Sequence, residues 1–426
     1  MKVFFGILIF IIQASFVVQA QRVCKTEAYT QQLIAHDAAI KNYYNAAEAQ
    51  IIASVKKATT ARDTAANEII YIPVVVHILY KSADQNLSKA QVQSQLDVLN
   101  NDYGNLNADK INTPVDFKKL AADTRIRFCL AQVDPKGKTT SGIVRRFTTT
   151  DNFSADDGMK FSAQGGDDAW DNKRYLNIWV CNMGGRTLGY SSIPGGPANV
   201  DGVVIGYDVF GTAGYLRSPF NKGRTATHEI GHWLGLKHVW GDAICGTDEV
   251  DDTPVQQYYN YGCPVFPHVT NCSPDYKGDM FMNFMDFTDD DCMNMFTIGQ
   301  KIRMRALFAK NNLHNSFLQS FACDSTLAQG GALPGADTLP TVSVKESFVV
   351  KVYPNPAQSI ITVEYKSVPN ILTKKITIFN VLGNKVYSAS LTAEKTTISI
   401  AHFSKGIYIV QIEEGSKQFN TKIIKQ

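Results

Sequence analysis

The stretch His228-Glu229-Ile230-Gly231-His232-Trp233-Leu234-Gly235-Leu236-Lys237-His238 decides how this chain is read. On a helix, positions four apart share a face, so His228 and His232 present two imidazoles to one ion with Glu229 beside them. Gly235 is suited to the left-handed conformation that ends such a helix, after which the chain swings round and His238 supplies a third nitrogen from another direction. Three nitrogens leave one place open. Catalytic zinc takes this arrangement, about 2.0–2.1 Å from each nitrogen and with a water in the open place, whose proton Glu229 can accept. With this chain's composition the extended pattern arises by chance on the order of once in a hundred thousand chains of this length, whereas a bare five-residue version is far less specific. The chain has 8 histidines. None of those outside the motif carries such spacing, and His77, within an apolar run, reads as structural.

A length of 426 residues suggests two or three folded units. Lys plus Arg total 42 and Asp plus Glu 39, a formal charge of +3 with no basic block, which excludes a nucleic-acid partner. Apolar residues make up 44% and charged residues 19%, enough to bury sizeable cores. The 8 cysteines suit local staples in an oxidising compartment, not a disulfide scaffold. That compartment is indicated at the start: Lys2, an apolar run from Val3 to Ile12 and the small-residue end Val18-Gln19-Ala20 read as a signal peptide over residues 1–20. No later segment has the ~18 uninterrupted apolar residues of a transmembrane helix.

Residues 21–61 are rich in Ala, Gln, Lys and Thr, with helical spacing from Ala35 to Ser54, and read as a pro-segment. At Ile69 the texture becomes β-rich through Leu79, a first sheet strand. Ser88 and Gln91 form a capping-box pattern, and Val92, Leu96, Leu99 and Tyr103 carry a helix to Gly104. Strands are expected at Ile126–Val133, Tyr175–Cys181 and Val203–Ile205, so residues 62–325 read as an α+β domain. A Gly, Ala, Pro and Thr linker covers 326–344. Beyond it, short alternating runs at Phe348–Tyr353, Ile360–Tyr365, Ile376–Phe379, Thr397–Ile400, Ile407–Ile412 and Phe419–Ile424 predict a small β-sandwich over 345–426.

The elongated motif with its third histidine resembles the metzincin clan of zinc endopeptidases. Asn283-Phe284-Met285-Asp286-Phe287 through Met295-Phe296 is similar to the Met-turn of the pappalysin (cytophagalysin) family, with Met285 as its methionine. The resemblance runs from about Ile69 to Phe321 and includes Tyr175 to Cys181 and Gly189 to Gly196. It implies a metzincin fold, with a twisted mixed sheet plus helices, and an exposed edge strand at Leu188–Ile193 that pairs with substrate backbone. It further implies calcium in the loop of Asp248, Asp251, Asp252 and Thr253, and the disulfides Cys245–Cys272 and Cys263–Cys292. Asp290 corresponds to the acidic base of the primed-side pocket, which favours Arg or Lys just after the cut bond; otherwise it is one more surface acid. Cys24 stands where the family's zymogens carry a switch cysteine, although Lys25 replaces the usual glycine; otherwise it is a disulfide partner or a free thiol. Autolysis is then expected at Ala61–Arg62. Phe287 departs from the family's tyrosine and lacks a hydroxyl donor. Cys129, Cys181 and Cys323 receive no assignment.

At the other end, Tyr353-Pro354-Asn355-Pro356-Ala357, Ile378 to Gly383, Phe403 to Tyr408 and the basic end Lys422 to Gln426 resemble a type IX secretion sorting domain. This implies the type IX machinery as a partner and export to the outside or outer-membrane surface of a Gram-negative bacterium. The resulting expectation is a secreted zinc endopeptidase, made as a zymogen, acting on protein or peptide substrates. Two rivals stand beside it: a surface adhesin that keeps zinc as structure, with Phe287 as its support, and a carbohydrate-binding protein centred on the C-terminal sandwich.

Overall fold

The computed structural model describes residues 21–60, 68–273, 278–320, 322–323, 349–366, 374–380, 384–391, 395–414 and 417–426. The expected signal peptide, the Ala61–Arg62 bond and residues 326–344 lie outside the described residues. The chain divides into two compact units, residues 1–131 with 142–320, and residues 132–141 with 321–426.

In the first unit the apolar run after Ile69 forms β1 (Ile70–Tyr80), buried along nearly its whole length, as expected of a strand covered on both faces. It pairs in parallel with β2 (Ile126–Leu130), β3 (Ile143–Phe147) and β4 (Leu176–Cys181). The sheet continues through β6 (Val203–Gly206), parallel to β4, to β5 (Gly189–Ser191), which is antiparallel and lies at the edge. One face carries Val74, Val76, Ile78, Ile178 and Ile205 into a core shared with Leu96, Tyr103, Ile230 and Trp233 of the helices. Leu79, Trp179, Cys181, Tyr190 and Val204 belong to a second apolar cluster. Helix α3 (Lys89–Tyr103) begins at Ser88, whose hydroxyl accepts the Gln91 N–H. Only half of the expected capping box forms, because the Gln91 amide donates to the Phe210 carbonyl instead. Helix α4 (Arg224–Trp233) carries the motif and is buried at every residue. It is fixed to α3 by Arg224 paired with Asp102, by Thr227 Oγ1 donating to Asp102 at 2.7 Å and by Tyr103 donating to the Thr227 carbonyl at 3.0 Å. Helix α5 (Ile298–Ala306) starts on a full capping box from Thr297 and Gln300.

The region expected as a pro-segment forms α1 (Thr26–His36) and α2 (Ala38–Thr60). It is more deeply packed than its composition suggests: Tyr29, Ile40, Tyr44, Ala47 and Ile51 are buried. His77 is structural, as expected, with Nδ1 2.7 Å from Asp167 Oδ2 and Nε2 3.1 Å from Asn177 Oδ1.

The second unit is all-β. Strands β7 (Val349–Tyr353), β8 (Ile360–Lys366) and β11 (Lys395–Ser399) make one sheet. Strands β9 (Lys374–Asn380), β10 (Lys385–Leu391), β12 (Gly406–Glu414) and β13 (Lys417–Lys425) make the other. Ile361, Val363, Ile376, Ile378, Val410, Ile412 and Ile423 fill the core of this unit. Strand β10, with Ser388 and Ser390 in its middle, was not anticipated.

Candidate active site

Gly235 takes φ +81° and ends α4, with its N–H on the His232 carbonyl and the Leu236 N–H on the Gly231 carbonyl. The chain turns there, and His238 comes back to the two helix histidines. The Nε2 atoms of His228 and His238 lie 3.2 and 3.1 Å from that of His232. Each Nδ1 faces an acceptor: the Phe284 carbonyl at 2.7 Å, the Leu236 carbonyl at 2.9 Å and Asp242 Oδ1 at 2.5 Å. The protons therefore sit on Nδ1, and three Nε2 lone pairs converge with no hydrogen among them, which fits a cation and little else. Nitrogens about 2.0–2.1 Å from one tetrahedral zinc stand roughly 3.4 Å apart, close to the spacing found. Burial first, then neighbouring imidazoles, push His228 well below the ordinary histidine range and His232 down to about 3, so both stay neutral.

Met285 lies under the helix. A Cβ on Gly231 would come within 2.4 Å of Met285 Sδ, so the helix can pass over the methionine only because residue 231 has no side chain. The Phe287 ring packs 4.9 Å from His238 and 4.7 Å from Trp240, with Tyr259 beside it at 5.3 Å.

Glu229 is buried on the same helix, and burial raises its carboxyl to about 7. It is covered by Cys24 and Thr26. Thr26 Oγ1 donates to Glu229 Oε2 at 2.9 Å, and Cys24 Sγ lies 3.5 Å from the same oxygen. Cys24 and the three histidines offer ligand atoms all within 4.8 Å of one another. Residues 23–25 reach this point alongside β5 through one parallel bridge: Leu188 N–H donates to the Val23 carbonyl at 3.0 Å and Lys25 N–H to the Gly189 carbonyl at 3.1 Å.

Asp290 is fully buried, which sets aside its reading as a surface acid. Its Oδ2 accepts the Lys222 and Arg224 N–H groups at the start of α4, at 2.8 and 3.3 Å. Its Oδ1 is 2.5 Å from the Arg22 guanidinium, also buried. Arg22 further donates to the Thr288 carbonyl and Thr225 Oγ1, both at 3.2 Å, and lies over the Phe220 ring at 5.0 Å. Arg22, Thr26 and Asp242 were missed from sequence. For Arg22 the signal was present: a pocket expected to take a basic side chain, and an arginine two residues before the expected switch cysteine.

Cys245–Cys272 and Cys263–Cys292 are bonded. Cys129 and Cys323 are also disulfide-bonded, whereas Cys24 and the buried Cys181 are free. In the acidic loop, Asp248 Oδ1 accepts from Thr253 Oγ1 at 2.8 Å and from Val250 N–H at 3.2 Å, while its buried Oδ2 has no partner. Asp251 is exposed. Asp252 is occupied elsewhere, accepting from Thr297 Oγ1 and the Gly299 N–H at the start of α5.

Residues 161–309 match the family described as Pregnancy-associated plasma protein-A, and residues 351–426 match the Secretion system C-terminal sorting domain. The chain is 31% identical over 280 residues to an extracellular metalloprotease of Pyricularia oryzae, covering 62% of this chain and 84% of that protein. Among solved structures it resembles Tannerella forsythia mature mirolysin in complex with a cleaved peptide, with TM-score 0.59 and 50% identity over 62% of this chain and 99% of the other. It also resembles a mutant of T. forsythia promirolysin, with TM-score 0.65 and 45% identity over 71% and 98%.

Proposed function

The chain belongs to the pappalysin family of zinc metallopeptidases, and from that premise we propose that this secreted endopeptidase cuts just before arginine or lysine and is held silent by residues 21–61. One observation carries the reading: Arg22 fills the Asp290 pocket while Cys24, two residues on, sits at the three histidines. A buried carboxylate is costly unless a cation meets it, so the side chain that satisfies Asp290 in the precursor tells what satisfies it in a substrate. His228, His232 and His238 would hold the zinc, which when bound supplies a Lewis acid for the peptide carbonyl and an activated water. Glu229 takes the proton released as water attacks and passes it to the leaving amine. In the precursor the same carboxylate is engaged by Thr26, and the Cys24 sulfur stands at the histidines, so neither the base nor the open place is available.

Release requires a cut between α2 and β1. Ala61–Arg62 satisfies the proposed specificity, and maturation there leaves Arg62 as the new N-terminus. Met285 supports the histidines from below. The buried, partnerless Asp248 Oδ2 favours a structural calcium held with Thr253 and Asp251, and Asp252 takes no part because it caps α5. We assign residues 62–325 to the peptidase and 345–426 to export. The adhesin alternative loses its ground, because Glu229 stands beside the ligands and a purely structural zinc needs no base.

Hydrolysis of a denatured protein by the matured enzyme tests this. Activity should vanish with a zinc chelator and return with zinc. Glu229→Ala, cut at Ala61–Arg62 by a trace of wild-type enzyme that is then removed, should keep one zinc per chain and lose on the order of 10⁴ or more in rate. Undiminished hydrolysis by Glu229→Ala would remove that residue from the mechanism.

A further inference from the structure

Beyond Cys24 the pro-segment enters α1, and one turn in, Tyr29 plunges into the protein and is only 2% exposed. Its ring lies 4.8 Å from that of Tyr190, which belongs to the edge strand β5. Its hydroxyl donates to Asp157 Oδ2 at 2.6 Å. The other oxygen of that carboxylate is fully used, taking the Tyr190 hydroxyl and the Lys160 ammonium, both at 2.8 Å. Lys160 is itself completely buried and donates to the Val200 carbonyl at 2.7 Å. Its nitrogen is 5.2 Å from the Tyr29 ring and 4.9 Å from the Tyr190 ring.

The cradle is thus an ion pair lined with aromatic rings, in which Oδ2 accepts from Tyr29 alone among the described residues. Asp157, Lys160 and Tyr190 all belong to the part that remains after maturation, and only Tyr29 departs. Its departure takes the donor from Oδ2 and one ring face from the cation; water can replace the first but not the second. A phenol replaces both at once: its hydroxyl meets Oδ2 and its ring meets Lys160. Phenylalanine offers the ring only.

We propose that in the matured enzyme this cradle is a subsite for a tyrosine side chain of the substrate, on the amino side of the cut bond. The side follows from the order of contacts along the pro-segment: Arg22 at Asp290, Cys24 at the histidines, then Tyr29 at the cradle. If Asp290 receives the residue after the cut, as proposed above and on which this inference rests, the cradle lies on the opposite side of the metal site. The edge strand joins the two, since Leu188, Gly189 and Ser191 bond the pro-segment backbone and hydroxyl between them.

The test uses the matured wild-type enzyme, so no variant needs to fold. Peptides keep a fixed arginine after the cut bond, while a single Tyr, Phe or Ala is walked through each position on its amino side. At one position Tyr should lower KM by about tenfold relative to both Phe and Ala with kcat unchanged, as expected for a hydrogen bond to a charged acceptor. Cleavage before arginine with no position at which Tyr excels overturns the subsite and leaves the arginine reading standing. Phe performing as well as Tyr overturns the role of Asp157. Cleavage away from the arginine overturns the specificity reading itself.

Discussion

Gly231 shows how little room the site leaves at the level of single atoms. It lies between His228 and His232 on α4, and an added Cβ would stand 2.4 Å from the sulfur of Met285, whose own residue is fully buried. Neither partner can move without displacing a histidine or the turn below it. Gly231→Ala should therefore lower stability by about 1–3 kcal/mol, the usual cost of overpacking a filled core. Thermal unfolding of the precursor with and without the substitution measures this, and an unchanged Tm would mean that the methionine yields freely. The residues whose chemistry is set by short spacing, His228, Glu229, His232 and His238, were legible in the sequence because a helix and one left-handed glycine convert spacing into geometry. Asp242 and Asp157 were not, because each acts through a partner that only the folded chain brings near.

At the level of elements, the proposed pro-segment is held twice. Its first residues lie along β5, and α2 packs through Ile51 toward Gly235 and Leu307. Glu48 of α2 receives Arg303 of α5 at 2.7 and 2.6 Å and Lys237 at 3.4 Å. Burial alone would raise the Glu48 carboxyl, but the hydrogen bond and charge of Arg303, helped by Lys237, outweigh it and hold the group below its ordinary 4.5. A carboxyl depressed in the docked state contributes stability above its free value and loses it as the pH falls through the docked one. A cleaved pro-segment should therefore stay with the enzyme near neutrality and dissociate increasingly below about pH 4.5. Gel filtration after processing reads this, with Glu48→Gln expected to flatten the acid step; release that is equal in both proteins across that range would remove Glu48 from the anchor. Sequence periodicity indicated helix in this region but not its burial, because Ala, Tyr and isolated Ile carry a weak apolar signal until a complementary surface meets them. Strand β3 was missed for a related reason: Arg145 and Arg146 break the apolar alternation, and its place is set by pairing with β1.

Across the whole molecule, the three histidines, Glu229, Met285 and Asp290 all belong to the first unit, and the sorting-domain match lies within the second. A chain ending near Ser325, which retains Cys323, should hydrolyse peptides with kcat/KM within about twofold of the full chain, a difference of well under 1 kcal/mol. Loss of the final residues should instead abolish export from the native host. Normal export of that deletion would contradict the assignment of 345–426. The change in texture after Ser325, from mixed 3.6- and 2-residue periods to strands alone, was legible in the sequence; that residues 132–141 group with the second unit was not, because only the folded chain places them there.

If a zinc peptidase whose Asp290 pocket selects a cation is silenced by an arginine of its own pro-segment, the bonds that the matured enzyme cuts in a peptide library must carry that signature. Arginine and lysine should dominate the position immediately after the cut. In Asp290→Asn that preference should fall by on the order of 10²-fold in kcat/KM, because removing one partner of a buried charged pair typically costs several kcal/mol. An apolar preference at that position in the wild-type enzyme, or an unchanged basic preference in Asp290→Asn, would contradict it.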